Sequence, residues 1–137
     1  MLRLERIHLL SKTDKLKPLR KFIRDLAMCQ QWFKDDADCI VMAINEACMN
    51  VIQHAYKNSE NEEIVIELWK DKQNVIVKII DTADKVDVNL IKSRKLNDVR
   101  PGGLGVHFIH QLMDDVDYVN NSDETGNVLV MRKRLKF

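Results

Sequence analysis

The sequence predicts an α+β fold: a two-layer α/β sandwich, with one mostly antiparallel sheet and helices on one of its faces. Three observations predict it. Two pairs of alternating apolar runs, Ile64–Leu68 with Val75–Ile79 and Val116–Tyr118 with Val128–Arg132, read as hairpins. Three other stretches carry apolar residues three and four apart, the period of an amphipathic helix. The helices come in groups between hairpins, which is not the strict strand–helix alternation of a doubly wound parallel sheet.

Residues 2–10 open the chain with a loose alternation of Leu2, Leu4, Ile7 and Leu9, a strand. A polar turn from Ser11 to Lys15 leads into a helix with Leu16, Leu19, Phe22, Ile23 and Leu26 on one face. Pro18 falls in its first turn, where a missing N–H costs little. The outward positions Lys17, Arg20, Lys21 and Arg24 are basic, and read either as a solvated face or as a docking face. Asp35, Asp36 and Asp38 suit the positive end of a second helix, which runs from about 36 to 57. Its Ile40, Ile44, Cys48, Val51, Ile52 and Ala55 share one broad face. Glu46 and Asn50 fall on the other side, one turn apart, near Ala43 and Ala47.

The hairpin at 64–79 turns through Lys70–Asn74, and Ile80 breaks its alternation, predicting a change of backbone direction before Asp81. Residues 82–101 read as a loop with one short helix. Three of the chain's 4 glycines then cluster in Pro101-Gly102-Gly103-Leu104-Gly105, ahead of a helical stripe of Val106, Ile109, Leu112 and Met113. The last hairpin turns between Asn120 and Asn127.

At 137 residues the chain suits a single domain, 1–137, long enough to bury a core. Its 22 Lys and Arg against 21 Asp and Glu give no global attraction to nucleic acid or anionic lipid. The basic runs at 132–136 and at Arg94-Lys95 are short and lack interleaved aromatics, so no nucleic-acid partner is expected. No run approaches the roughly 20 apolar residues of a membrane span, and no signal-peptide pattern is present. Cys29, Cys39 and Cys48 form no CxxC pair, which points to free thiols and a cytoplasmic protein.

Three places can carry chemistry. Glu46 and Asn50, a carboxylate and an amide on one helix face, can share an octahedral ion such as Mg²⁺. Asp81 ends a buried strand, where a carboxylate can accept a hydrogen bond from an adenine amino group. Gly102–Gly105 enters a helix, whose free N–H groups and dipole favour phosphate. It is not a Walker A loop, because Val106 and His107 stand where Lys-Ser/Thr would follow. Singly, each has a plain alternative: a solvated helix pair, the start of a turn, a glycine-rich connection.

Together and in this order they resemble the GHKL (Bergerat) superfamily of gyrases, chaperones, histidine kinases and mismatch-repair proteins. The chain looks most like its anti-sigma factor serine/threonine kinases, of the SpoIIAB and RsbW type. Residues Asn45 to Tyr56 resemble that family's N-box, and Gly103-Leu104-Gly105 its glycine box. Gln111 to Val116 is typical of these small kinases, and Gly126-Asn127 resembles the final family glycine. The resemblance implies ATP and Mg²⁺ as cofactors, Glu46 as general base and Asn50 as the Mg²⁺ ligand. It implies Asp81 as acceptor of the adenine amino group, with Ala83 against the nucleotide. Gly103, Leu104 and Gly105 would cradle phosphates, Arg100 would meet a phosphate or close the lid, and residues 84–101 would form that lid. His54 would line the phosphate end or serve packing. The implied partners are a small anti-anti-sigma-like antagonist protein, phosphorylated on Ser or Thr, and a sigma factor or comparable regulator, which the kinase sequesters. The family often dimerises, so a homodimer is one expected state.

One departure stands out. The family's first glycine box runs Asp-x-Gly, often followed by Pro-Phe; here it reads Asp81-Thr82-Ala83-Asp84. A Cβ at position 83 does harm if the backbone needs positive φ or if adenine must touch the main chain. The alternative function, a catalytically weak or inactive protein-binding module of the same fold, rests on this departure.

Overall fold

The loose alternation of the first ten residues is a strand with one extra residue. β1 (Leu2–Leu10) pairs antiparallel with β2 (Glu63–Lys70), and the register shifts between Arg3 and Glu5. Leu4 is passed over in the pairing; Leu4, Ile7 and Leu9 pack on the core while Leu2 stays exposed. In this computed structural model the described residues are 1–83, 101–120 and 126–136, with backbone alone at 101–106 and 120.

A short 3₁₀ turn (Thr13–Lys15) feeds α1 (Leu16–Cys29), which buries Leu16, Leu19, Ile23 and Ala27. Pro18 sits in its first turn, and Gln31, at φ 60°, follows its end. Half of the basic row on α1 reaches the next helix, α2 (Lys34–Asn50). Arg20 Nη1 donates to Asn45 Oδ1 at 2.8 Å, and Arg24 Nη1 to Asp38 Oδ1 at 2.7 Å. Asp36 does not cap its own helix. It is buried, and its Oδ2 accepts the Lys136 backbone N–H at 2.9 Å, tying the end of the chain to the start of α2.

The second helix differs from the expected 36–57. The α-helical part stops at Asn50, and Val51–Ala55 forms one wide π-type turn, in which the Tyr56 N–H reaches back to the Val51 carbonyl at 2.8 Å. Lys57 and Asn58, at φ 50° and 64°, then end it.

β3 (Asn74–Asp81) returns antiparallel to β2 through a tight turn, where Asp71 Oδ1 accepts the Gln73 and Asn74 N–H groups, each at 2.8 Å. These bonds hold the Asp71 carboxyl below its ordinary pKa. The expected change of direction at Ile80 does not occur. Ile80 pairs with Val65 and Val128 in unbroken register, and Asp81 with Asn127. Ile80 lies on the far face with Ile76 and Lys78, so an apolar residue on the uncovered side had the look of a break.

The third described helix, α3 (Pro101–Leu112), also differs from the sequence reading. Its backbone is helical from Pro101, so Gly102 and Gly103 lie in its first turn and Gly105 at the start of its second, not in a loop ahead of it. Residues 84–100, where a loop, a short helix and a lid were expected, lie outside the described residues. β4 (Asp115–Asn120) and β5 (Asn127–Arg134) complete an antiparallel sheet of order β1-β2-β3-β5-β4.

One core joins the helices to one sheet face. Ile23, Ile40, Ile44 and Ile52 pack with Ile64, Ile66, Leu68, Val75, Val77, Ile79, Leu129 and Met131, nearly all without solvent contact. On the other face, the buried Glu67 accepts the Trp69 indole N–H at 3.0 Å and lies 3.6 Å from Arg6. The predicted two-layer α+β architecture is the one observed.

Candidate functional site at the end of β3

The parity that buries Val75, Val77 and Ile79 carries one step further to Asp81, so the strand delivers a carboxylate to the helix-covered side. Asp81 is 5% exposed. Its Oδ1 accepts the Ala83 backbone N–H and the Asn127 side-chain amide, both at 3.0 Å. The Asn127 backbone N–H also acts on this carboxylate. Burial raises the Asp81 pKa above the usual carboxylate value, and the three N–H donors oppose the rise. A buried carboxylate held in this way is oriented to accept a further donor from a ligand.

Gly126 makes this approach of β5 to β3 feasible. It has φ +118°, and a Cβ there would fall 2.1 Å from the Asp81 carbonyl oxygen. Tyr118 occupies the neighbouring inward position, opposite Leu129. Burial first, and the Asp81 charge second, push its hydroxyl up to about 12.

Ala83 has no positive φ among the described residues, so its Cβ meets no backbone penalty. It packs half-buried against the core, and its N–H is one of the bonds that hold Asp81. Of the two concerns raised by the sequence at this position, the structure answers the first, since the backbone here does not take positive φ.

Glu46 and Asn50 lie one turn apart on α2, both half-buried. Ala43 and Ala47 beside them are buried, and α3 packs on α2. The Asn50 Nδ2 is buried without a hydrogen-bond partner among the described residues. An orphaned buried amide is costly in a folded protein, and a polar ligand relieves that cost. The unpaired Nδ2 is a donor that suits a phosphate oxygen or a cation's water, and the Oδ1 of the same amide is the kind of oxygen that would hold Mg²⁺, which needs only one or two from the protein. No cluster of three or more His, Cys, Asp or Glu residues able to hold a metal occurs among the described residues, so a site built wholly from protein ligands is not offered there.

Arg100 lies outside the described residues. Gly103, Leu104 and Gly105 are placed by backbone alone, from the first turn of α3 into its second. His54 is exposed in the wide turn, which removes the packing role considered for it. Sequence reasoning missed Asn127 and Tyr118 as site residues. A signal existed for the first: a polar residue directly after a glycine, at the head of the apolar run Val128–Met131. Cys29 is exposed, Cys39 half-buried and Cys48 buried, all as free thiols, and burial pushes Cys48 up to about 12. Among the described residues no helix is long and apolar enough to cross a membrane.

The chain is similar to several known proteins in sequence and in fold. The chain is 28% identical over 134 residues to the serine-protein kinase RsbW of Halalkalibacterium halodurans, covering 92% of this chain and 80% of the relative. It is 34% identical over 107 residues to the serine-protein kinase RsbW of Bacillus cereus, covering 72% of this chain but only 64% of the relative. In fold it resembles the SiaB–SiaC complex structure from Pseudomonas aeruginosa, with a TM-score of 0.70 and 12% identity, covering 96% of this chain and 90% of that one. It also resembles a structure of RsbU and RsbW domains from Mycobacterium tuberculosis, with a TM-score of 0.66 and 16% identity, covering 96% of this chain and 32% of that one. These two structural likenesses speak to fold alone. The family described as the histidine kinase-like ATPase domain matches residues 9–133, and the chain belongs to that family.

Proposed function

We propose that the chain is an anti-sigma-factor-like serine/threonine protein kinase. It transfers the γ-phosphoryl group of Mg-ATP to a Ser or Thr of a small antagonist protein, and it sequesters a sigma factor or comparable regulator when free of that antagonist. The observation that carries the reading is the buried Asp81 carboxylate, oriented by donors from Ala83 and Asn127 at 3.0 Å. Those donors hold the buried carboxylate in one orientation, and the adenine amino group is a further donor that it can accept. The two RsbW relatives named as serine-protein kinases support the reaction class.

In this reading Asp81 binds the base, and the first turn of α3 meets the phosphates with its free N–H groups. Glu46 takes the proton from the attacking Ser or Thr hydroxyl. The oxygen–phosphorus bond forms as the bond to the β-phosphate oxygen breaks, and ADP leaves. Mg²⁺, held by Asn50, supplies neutralisation of phosphate charge when bound. The same reading extends to the cytoplasm as compartment and admits a homodimer as one state. The alternative reading, a catalytically weak or inactive protein-binding module, keeps one support: Ala83 needs no positive φ, but its Cβ stands where the related pattern has glycine against the base.

The test is label transfer from γ-labelled Mg-ATP to candidate antagonist proteins. The reading expects label on a Ser or Thr of one antagonist, abolished by Glu46→Gln in a protein that still binds ATP. Tight ATP binding with no transfer to any antagonist that binds the chain would overturn it.

A further inference from the structure

The β2–β3 ladder ends one step before the site, and a tyrosine hydroxyl completes it. Val65 faces Ile80 in the last paired rung, and the same register continued would set Glu63 opposite Thr82. The Tyr56 hydroxyl lies between them. It accepts the Thr82 backbone N–H at 2.8 Å and donates to the Glu63 carbonyl at 2.5 Å, with Thr82 Oγ1 at 3.2 Å. The strands are therefore held apart at this end by one inserted oxygen. Burial raises the Tyr56 pKa, so the hydroxyl keeps the proton it donates.

The side chain is fixed from several directions. The wide turn after Asn50 resets the phase of the residues that follow, and it brings Tyr56, 8% exposed, into the core. The Asn58 N–H closes back to the Ile52 carbonyl at 2.7 Å. Ser11 Oγ donates to the Ser59 carbonyl at 2.5 Å and accepts the Glu62 N–H at 3.1 Å, so the segment from Tyr56 to β2 is pinned to β1. One hydroxyl thus joins the helix that carries Glu46 and Asn50 to the strand end that carries Asp81.

We infer that Tyr56 is a positioning residue for base selection: its hydroxyl sets the splayed end of β3, and with it the Asp81 carboxylate, for a purine that bears an exocyclic amino group. The inference rests on the proposed role of Asp81 as the base acceptor. Without the hydroxyl, the Thr82 N–H and the Glu63 carbonyl can meet only if β3 moves toward β2, and that movement carries Asp81 with it. A site built to take a donor discriminates against a base that lacks one, and the discrimination depends on placement.

The experiment compares wild type with Tyr56→Phe in the full chain, measuring affinity for Mg-ATP and for Mg-ITP, whose base has a carbonyl in place of the amino group. The wild type is expected to prefer ATP. Tyr56→Phe is expected to weaken ATP about tenfold, in line with one misplaced hydrogen bond, and to leave ITP within about twofold. Turnover at saturating ATP stays near the wild-type value while KM rises. An unchanged ATP-to-ITP ratio, or an equal loss for both nucleotides, overturns the inference and leaves Tyr56 as packing. A wild type that binds ITP as well as ATP overturns it together with the base role of Asp81. Should Tyr56→Phe not fold, a fluorinated tyrosine at position 56, a weaker acceptor of the same shape, reads the same ratio with the same expected direction.

Discussion

The side-chain amide of Asn127 donates to Asp81 Oδ1 at 3.0 Å, and both residues are buried. This bond opposes the desolvation that would otherwise neutralise the carboxylate. Asn127→Ala removes it while leaving the Ala83 N–H and the Asn127 backbone N–H in place. The Asp81 pKa should rise further, and ATP affinity at neutral pH should fall about tenfold to 150-fold, the range for losing one charge-assisted bond. Carboxyl-detected NMR titration and calorimetry check the two halves independently.

The raised Asp81 pKa also sets a pH dependence. The ionised carboxylate is the acceptor, so ATP affinity is full above the folded pKa and is lost as pH falls through it, at a higher pH than for an ordinary Asp. Stability moves the other way. The folded state holds this proton more tightly than the unfolded state, so the Asp81 contribution becomes less favourable as pH rises from the unfolded to the folded pKa. Binding and denaturant melts from about pH 4 to about pH 7 should show both slopes, and Asp81→Asn should remove both.

Gly126→Ala tests the contact between β5 and β3. The substitution meets positive φ and the Asp81 carbonyl at once. A loss on the order of 3 kcal/mol in unfolding free energy is expected, with ATP binding lost in the protein that remains folded. A denaturant midpoint within error of wild type would show that β5 can approach β3 without glycine.

Ala83→Gly restores the residue of the related Asp-x-Gly pattern. Because Ala83 has no positive φ, the change should leave ATP affinity within about twofold and cost about 0.4–1 kcal/mol of stability through the looser unfolded chain. A large gain in affinity would mean that the Cβ, and not the backbone, obstructs the base.

Much of the fold was legible because the period of the apolar residues survives wherever one face alone is buried. α1 shows Leu16, Leu19 and Ile23 in helical spacing, and β3 shows Val75, Val77 and Ile79 in strand spacing. Where both faces carry apolar residues, direction was lost. Val128 and Val130 alternate as well as Leu129 and Met131 do, yet only the second pair is fully buried. The wide turn at Val51–Ala55 left no trace, because its residues keep the composition of an ordinary helix end. At the site, Glu46, Asn50 and Asp81 stood out as polar residues beside apolar stripes. Asn127 carried only the weak signal of a polar residue after a glycine, and Tyr56 and Tyr118 none, because their roles depend on contacts with residues distant in sequence. Tyr56 reaches Thr82, and Asn127 reaches Asp81, only once the sheet has formed.

The most direct test of the central claim is a calorimetric titration of Mg-ATP into the folded wild type, Asn50→Ala and Asp81→Asn. The account predicts micromolar binding by the wild type, weakened at least tenfold by Asn50→Ala or by withholding Mg²⁺, and weakened for ATP far more than for ITP by Asp81→Asn. No binding up to about millimolar ATP by a folded wild type, or binding indifferent to both substitutions, would contradict it.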